Sequence, residues 1–166
     1  MKWTSKIVLF GLLMGGILSS CDKKTCKEPI PEMDFVSFKP STSDIDYFVL
    51  TFSFKDCDGD IGMSPTATIL DENGEAQTTN FKIDLYHVEN NQWVKHVFKP
   101  GEPGLDAKIP ELGNSTANPV LDGEIDKRMH RTFGLLDYDS VMFKSRILDN
   151  AGHYSNEVET PGFIIQ

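Results

Sequence analysis

The sequence predicts an all-β protein whose body is an antiparallel β-sandwich of seven or eight strands, of the immunoglobulin or fibronectin type. Three observations predict it: apolar residues alternate with polar ones at period two in several segments, turn-forming residues separate these segments, and no window of a dozen residues carries a helical stripe. A small β-barrel is the alternative. Because the two core cysteines that flank a tryptophan in antibody domains are missing, any immunoglobulin likeness concerns the architecture only.

The clearest strand lies at residues 48–55, where every second residue is a Phe or a Leu. Residues 81–86 and 141–147 follow a similar alternation, which is typical of half-buried antiparallel strands. A hairpin tip is predicted at residues 89–91, and residues 101–118 are predicted to form a long loop. Weaker strands are predicted at residues 34–39, 66–70, 93–98, 120–127 and 156–165.

The composition excludes two broad classes of protein. The 16 Lys and Arg residues are outnumbered by 25 Asp and Glu, and the net charge is −9. Nucleic acid is therefore not expected as a partner, because phosphate binding needs clustered basic residues. A hydrophobic fraction of 39% and an aromatic fraction of 10% are too high for a disordered chain. The length of 166 residues suits one folded domain.

The first 20 residues are predicted to be a cleaved export signal. Lys2 and Lys6 precede an unbroken stretch of apolar residues and glycines at 7–18. As a helix, this stretch would be about 18 Å long, much shorter than the hydrocarbon core of a bilayer, which is about 30 Å thick. A basic start, a short apolar core and small residues at its end are typical of a signal peptide rather than of a membrane-spanning helix.

The end of this signal, Leu18-Ser19-Ser20-Cys21, resembles the lipobox of bacterial lipoproteins. The resemblance implies that the Cys21 thiol receives a diacylglycerol, that cleavage follows Ser20 and that the new amino terminus is acylated. Several acyl chains, at about 0.8 kcal/mol for each buried CH₂, would hold the protein at a lipid bilayer of the cell envelope. Because the residues after Cys21 lack the acidic run associated with surface export, we expect the outer membrane with the protein facing the periplasm. An ordinary secretory signal followed by an unmodified Cys is the alternative.

Residues 21–32 are predicted to be a flexible, lipidated tether and residues 33–166 the folded body. The tether is polar, with Pro29 and Pro31 to stiffen it, and residues 22–32 reach about 36 Å when fully extended. Cleavage of the signal removes two lysines and no acidic residue, which changes the net charge from −9 to −11. Such an acidic body is expected to stand off an anionic membrane rather than lie on it.

With Cys21 modified, Cys26 and Cys57 remain, and an exported protein lies in an oxidising compartment. These two thiols suggest a Cys26–Cys57 disulfide, which would join the tether to the first loop of the body. In the alternative, both are free thiols that never come within bridging distance. No C-x-x-C pair occurs, so the sequence does not indicate a zinc or thioredoxin-like site.

The most distinctive loop follows directly on the clearest strand and carries Asp56, Asp58 and Asp60. In an extended or turning chain alternate side chains point the same way, so these carboxylates can converge on one point. No cofactor is expected to be required, but three hard oxygen ligands on a loop with Gly59 suit Ca²⁺. Asp149 would be a fourth ligand if its own turn lies beside this loop. In the alternative, the loop is a solvated acidic turn whose Asp side chains accept hydrogen bonds from backbone N–H groups.

Two motifs carry a wider resemblance: F-x-F-x-D-x-D-G-D-I-G at residues 52–62, and D-N-A-G-H-Y-S-N-E at residues 149–157. Together with the lipobox, they resemble those of small uncharacterised lipoproteins from Bacteroidetes-type bacteria. The resemblance implies a sandwich-like lipoprotein and supplies no activity. Cys57 stands where such relatives have Gly. In the second motif, Asp149 is expected to accept hydrogen bonds from turn amides, and Gly152 is expected to take a positive φ.

No arrangement typical of a catalytic site is found. The four histidines lack metal-binding spacing, and the G-x-S-x-G, P-loop and G-x-G-x-x-G motifs are missing. Paired carboxylates can hydrolyse glycosides, but any acidic protein offers such pairs. We therefore expect a protein that is not an enzyme.

Two functions are then open. The first is a membrane-anchored structural or protein-interaction module that docks another envelope protein. The second is a glycan- or ligand-binding accessory lipoprotein of a nutrient-uptake system, with Tyr86, Trp93 and Tyr138 stacking on a sugar ring. If these three aromatic residues share one open surface, the second function is favoured; if they are buried, the first is favoured.

Overall fold

The computed structural model describes residues 28–112, 120–131 and 138–165 of the chain. Among these residues no helix is long and apolar enough to cross a membrane. The predicted signal peptide, Cys21, Cys26 and most of the tether lie outside the described residues. The strands, in chain order, are β1 (Glu32–Pro40), β2 (Tyr47–Asp56), β3 (Ile69–Leu70), β4 (Ala76–Gln77), β5 (Phe81–Glu89), β6 (Gln92–Lys95), β7 (Leu121–His130), β8 (Ser140–Ile147), β9 (Val158–Glu159) and β10 (Phe163–Ile164).

These strands form two main sheets in which every pair is antiparallel. The first sheet has the order β1-β2-β7, and the second has the order β10-β8-β5-β6, with β9 also paired to β8. β3 and β4 form a separate two-stranded sheet. The predicted all-β antiparallel sandwich is thereby confirmed for the part of the chain that the structure describes. The immunoglobulin or fibronectin type is a finer statement and stays a prediction.

The core lies between the two main sheets and follows from the alternation of side chains along each strand. The inward side of β2 supplies Phe48, Leu50, Phe52 and Phe54, and the second sheet supplies Phe81, Ile83, Leu85, Val141, Phe143 and Ile147. Aromatic rings join the two layers, with 5.9 Å between the ring centroids of Phe52 and Phe81 and 5.2 Å between those of Phe38 and Phe143. Full burial of one such side chain stabilises the fold by about 1.5–3 kcal/mol, so this layer of rings holds the sheets together.

The sandwich has two distinct ends. At the tether end, β1 begins at Glu32 and β2 finishes at Asp56. At the hairpin end, β5 turns into β6 beyond Glu89. The hairpin end is the same end in both sheets. The ring of Phe38, near the end of β1, lies 4.8 Å from the ring of Phe163 in β10, measured between ring centroids. β10 in turn pairs with the start of β8, which lies beside the hairpin.

The hairpin tip predicted at residues 89–91 is confirmed. Asn90 (φ 50°) and Asn91 (φ 61°) both have positive φ, as a type I′ turn requires. This turn matches the right-handed twist of the two strands and brings Glu89 opposite Gln92. Asn suits these positions because its short polar side chain tolerates the left-handed region better than most residues do.

Most of the predicted strands are present. The three clearest predictions correspond to β2, β5 and β8, and those at residues 34–39, 93–98 and 120–127 correspond to β1, β6 and β7. The long loop predicted at 101–118 is confirmed over residues 101–112, where the only strand-like contact is a bridge of Ala107 to Phe81.

The strand predicted at residues 66–70 is reduced to the two residues of β3. The chain just before β3 is held in a turn instead, because the Lys108 ammonium group donates hydrogen bonds to three of its backbone carbonyl groups. These are the carbonyl groups of Ser64, Pro65 and Ala67, at 3.3, 2.6 and 3.3 Å. Together with the hydrogen bond from the backbone N–H of Ala67 to the carbonyl oxygen of Ser64 at 3.2 Å, these contacts keep the segment turned rather than extended.

The strand predicted at residues 156–165 is divided into β9 and β10. Pro161 lies at the division and has no N–H to donate to a ladder. Beside it, the Thr160 hydroxyl accepts a hydrogen bond from the backbone N–H of Phe143 at 3.0 Å, so a side chain takes the place of a strand carbonyl. The described residues therefore form ten strands, four of them two residues long, where seven or eight were predicted.

The turn at residues 149–152 packs closely on β3. Gly152 is buried and has a φ of +90°, which confirms the positive φ predicted for it. A Cβ atom at this position would lie 2.3 Å from the carbonyl oxygen of Leu70. Glycine is therefore required here both by the backbone conformation and by the space.

We expect Gly152→Ala to lower the free energy of unfolding by about 2–4 kcal/mol, because it adds a steric overlap to a strained backbone. Gly74→Ala is the matched control, since Gly74 also has a positive φ (+78°) but no atom lies within 4 Å of its Cβ position. In this control the free energy of unfolding should fall by about 1 kcal/mol, because only the backbone strain is added. Urea denaturation measures both, and equal losses would contradict the close packing on Leu70.

Candidate cation site

The alternation of β2 carries one carboxylate into the interior of the protein. Asp56 is the last residue of β2 and lies two positions beyond Phe54, on the same inward side of the strand. Its side chain is fully buried, with an exposed fraction of 0%. Its Oδ2 atom accepts a hydrogen bond from the backbone N–H of Ile61 at 3.1 Å, whereas its Oδ1 atom is buried and accepts none. A buried carboxylate oxygen without a partner is unfavourable and needs an explanation.

Three carboxylates converge at this point, as the sequence pattern predicted. Asp56, Asp58 and Asp60 each place an oxygen within 4.8 Å of the other two. Gly59, with a φ of +71°, turns the chain between the second and third Asp. Asp56 is buried, Asp60 is half-buried and Asp58 is exposed, so the cluster has a closed inner side and an open outer side.

Asp60 links this loop to the turn at residues 149–152. The backbone N–H groups of Asn150 and Ala151 lie close enough to its carboxylate to lower its pKa, and its Oδ1 atom is buried without a hydrogen-bond partner. The two Asp-bearing turns are 90 residues apart in the sequence, and the sandwich brings them into contact. The turn that carries Asp149 therefore lies beside the loop that carries Asp56, Asp58 and Asp60, which was the condition for Asp149 to be a fourth ligand.

Asp149 lies beside the cluster but caps its own turn. It is fully buried, and its Oδ1 atom accepts a hydrogen bond from the backbone N–H of His153 at 2.7 Å. Its Oδ2 atom lies 3.1 Å from Nδ1 of the same His153. Asp149 does not belong to the group of three residues whose oxygens lie within 4.8 Å of one another. It affects the cluster through its negative charge, which helps to raise the pKa of Asp60. The turn-capping role predicted for it is confirmed.

Burial and mutual repulsion perturb this cluster. Burial raises the pKa of Asp56 to about 6, and the charges of Asp58 and Asp60 act in the same direction. Burial also raises the pKa of Asp60 to about 6, with the charge of Asp149 as the next cause. The hydrogen bonds from backbone N–H groups oppose both shifts without overcoming them. Near neutral pH, most of these carboxylates are ionised and repel one another at close range.

Cys57, between two of the clustered Asp residues, is part of a disulfide. The sequence has two other cysteines, Cys21 and Cys26, and both lie outside the described residues. The Cys26–Cys57 pairing therefore stays a prediction, while the alternative of a free thiol at Cys57 is wrong. A thiolate ligand at this position is excluded as well, because a disulfide sulfur is a poor metal ligand.

The three aromatic residues considered for sugar stacking do not share one surface. Tyr86 and Trp93 lie on the outer face of the second sheet, where the Trp93 ring covers Gly162 and remains 41% exposed. Tyr138 instead stacks on His87, with 3.9 Å between ring centroids, and its hydroxyl lies 2.8 Å from Nδ1 of His96. Side chains follow the alternation of β5, so Tyr86 and His87 must point to opposite faces.

Asp71 is a buried carboxylate that the sequence patterns did not single out. It accepts hydrogen bonds from the backbone N–H groups of Asn73 and Glu75, both at 3.0 Å, and from the Gln77 side chain at 2.8 Å. Burial alone would raise its pKa, but these hydrogen bonds outweigh burial and lower it. An Asp at the first position of a turn and Gly74 at the fourth is the signal that could have identified it. It stabilises the β3–β4 turn.

No protein-family model, no curated protein and no solved structure gives a significant match to this chain. What the cluster can bind therefore follows from its own atoms. Its ligands are carboxylate oxygens, which suit Ca²⁺ or Mg²⁺, whereas zinc sites use mainly Cys and His.

In the presence of a chelator, we expect the free energy of unfolding to rise as the pH falls from about 7 to about 5. The raised pKa of Asp56 and of Asp60 means that the folded protein takes up protons in this range, whereas the unfolded chain, with ordinary carboxyl groups, takes up few. The gain should be on the order of 1–3 kcal/mol, from a shift of about two pH units in one buried group. Denaturant unfolding at several pH values measures it.

Asp56→Asn provides the control for this pH dependence. It keeps the shape of the side chain, the neighbouring Asp58, Asp60 and Asp149, and every histidine, so the difference between the two profiles isolates the buried carboxylate. The variant should show a shallower profile. Parallel profiles would contradict the assignment of the effect to Asp56.

Proposed function

We propose that this chain is a lipid-anchored lipoprotein of the cell envelope, whose β-sandwich serves as a structural or protein-interaction module. The lipobox at residues 18–21, at the end of a short apolar stretch, supports the anchor. In this proposal the acyl chains on Cys21 hold the protein at the outer membrane, facing the periplasm. Residues 22–32, about 36 Å when extended, connect the anchor to β1.

The position at which the tether joins the folded body supports a fixed orientation of the body relative to the membrane. β1 begins at Glu32, opposite Lys55, so the chain enters the sandwich at the tether end. Cys57 lies at the same end, and a disulfide to Cys26 would hold the tether against it. The ten residues of β2 span about 33 Å, so the hairpin end stands that much farther from the membrane.

Exposed apolar side chains on the hairpin are the observation that carries this proposal. Val88, Trp93, Val94 and Val97 lie on or directly after the β5–β6 hairpin and are 43%, 41%, 37% and 81% exposed. Val88 and Trp93 lie opposite each other on the outer face of the hairpin, whereas Val94, opposite His87, lies on the other face, and Val97 follows β6 beside the middle of β5. Exposed apolar and aromatic side chains along one short edge strand are typical of a surface that another protein covers. The partner that fits is another envelope protein with a complementary apolar patch.

A glycan- or ligand-binding accessory lipoprotein is the second candidate. A cavity of about 290 Å³ on the outer face of the second sheet favours it, and Tyr86 and Trp93 lie on the same face. Two observations make it the weaker candidate. Tyr138 lies elsewhere, and charged residues that line the cavity already form ion pairs, such as Lys95 with Asp84 at 2.6 Å. A glycan array without a bound sugar would count further against it.

We expect Cys21→Ser to abolish incorporation of a palmitate analogue and to move the processed protein from the membrane fraction to the soluble fraction. The reason is that the thiol is the atom that the acyl anchor needs. Cys26→Ser is the matched control and should stay with the membranes and keep the label. If processed Cys21→Ser protein still sediments with membranes in normal amounts, the anchor proposal is wrong.

We expect Val97→Asp to reduce recovery of the partner protein by fivefold or more when the lipoprotein is purified from cross-linked, solubilised membranes. A charge at this highly exposed position would have to be buried in the interface, while the free protein tolerates it. Leu70→Asp is the control, because Leu70 is 63% exposed but does not lie on the hairpin. Quantitative mass spectrometry compares the two, and equal recovery of every co-purified protein would contradict docking through the hairpin.

A further inference from the structure

We propose that Asp56, Asp58 and Asp60 bind a calcium ion, and that this ion fastens the loop after β2 to the turn at residues 149–152. The proposal does not depend on lipid anchoring or on a partner protein. It rests on a converging set of carboxylates together with the buried, unpartnered oxygen atoms within it.

The buried oxygens provide the first step. Asp56 is fully buried, and its Oδ1 atom accepts no hydrogen bond from the protein. The Oδ1 atom of Asp60 is in the same situation. The neighbouring Asp58 has no proton to donate when it is ionised. A carboxylate oxygen that is shielded from water and accepts no hydrogen bond is unfavourable, and a cation bound among the three carboxylates would offset this cost.

The hydrogen bonds around the cluster provide the second step. The Oδ2 atom of Asp56 accepts a hydrogen bond from the N–H of Ile61, and the N–H groups of Asn150 and Ala151 lie close enough to the Asp60 carboxylate to lower its pKa. In a solvated acidic turn, the oxygens of all three residues would face water. Here one oxygen of Asp56 and one of Asp60 are buried without a hydrogen-bond partner, and only Asp58 is exposed. Metal ligands are typically oriented by such a second layer of hydrogen bonds.

The identity of the ion follows from the ligands and their spacing. All three ligands are carboxylates, and oxygens that lie within 4.8 Å of one another need only small side-chain adjustments to bind one ion at the Ca–O distance of about 2.3–2.6 Å. Mg²⁺ requires shorter distances and near-octahedral geometry, which an irregular loop around Gly59 is less suited to supply. A soft metal is disfavoured, because Cys57 is in a disulfide and His153 contacts Asp149 instead.

The ion would stabilise the tether end of the sandwich. It would neutralise the repulsion among the three carboxylates, and through Asp60 it would hold the loop after β2 to residues 149–152, which follow β8. The exposed Asp58 provides the side from which the ion enters. Calcium sites of extracellular modules have dissociation constants of about 10⁻⁴ to 10⁻³ M, and a site with three carboxylates that opens to solvent on the side of Asp58 belongs in that range.

Thermal melting and isothermal titration calorimetry of the chelator-treated, full-length protein test this proposal, with CaCl₂ as the probe. We expect saturable heat with a Kd of about 10⁻⁴ to 10⁻³ M, and a rise in Tm of about 3–5 °C when Ca²⁺ reaches ten times Kd. MgCl₂ at the same concentration should raise the Tm less. No heat and an unchanged Tm up to 10 mM Ca²⁺, about ten times the weakest Kd expected, would overturn the proposal.

Two variants distinguish a site from a general effect of salt. Asp58→Asn removes an exposed ligand, so it should leave the fold intact and weaken Ca²⁺ binding by tenfold or more. Asp122→Asn is the matched control, since Asp122 is also an exposed carboxylate at the tether end, opposite Lys55, but lies outside the cluster. It should bind Ca²⁺ as the unchanged protein does. Equal loss of the response in both variants would mean screening of surface charge and would overturn the proposal.

Discussion

Strand β2 lies between β1 and β7 and must therefore keep one of its two sides against the second sheet along its whole length. Its first eight residues use this side for rings and aliphatic groups, such as Phe52 in the middle of the core. The same constraint then applies to Asp56, whose position opposite Leu121 of β7 completes an unbroken ladder of ten pairs. The residue cannot turn outward without a slip in register, and such a slip would expose the entire inward side of β2.

The tether end is organised around this buried carboxylate. Asp58 and Asp60 each place an oxygen within 4.8 Å of an oxygen of Asp56, and the backbone N–H groups of Asn150 and Ala151 lie close enough to Asp60 to lower its pKa. The turn at residues 149–152 depends on Gly152, because only a residue without a Cβ atom allows this turn to lie directly on β3. A polar cluster thus occupies a place in the fold where a sandwich would ordinarily have only loop residues and water.

The two ends of the sandwich differ in character. The carboxylate cluster, the disulfide of Cys57 and the start of β1 lie at one end, whereas the exposed side chains of Val88 and Trp93 lie on the hairpin at the other. Exposed apolar groups are not confined to the hairpin, since Leu70, which packs against the turn at residues 149–152, is 63% exposed.

The sequence by itself determined those features that depend on neighbouring residues. Period-two alternation was sufficient for β2, β5 and β8, and adjacent asparagines were sufficient for the hairpin tip, because both are properties of a few consecutive residues. The tertiary structure decided which distant groups meet. It brought Asp60 to the turn at residues 149–152, left Asp149 to cap its own turn and placed Tyr138 on His87 rather than beside Trp93. It also decided the burial of Asp56: an Asp two positions after a buried Phe can end a strand in water, but here the side chain is fully buried and the loop that follows β2 folds back so that Ile61 donates a hydrogen bond to it.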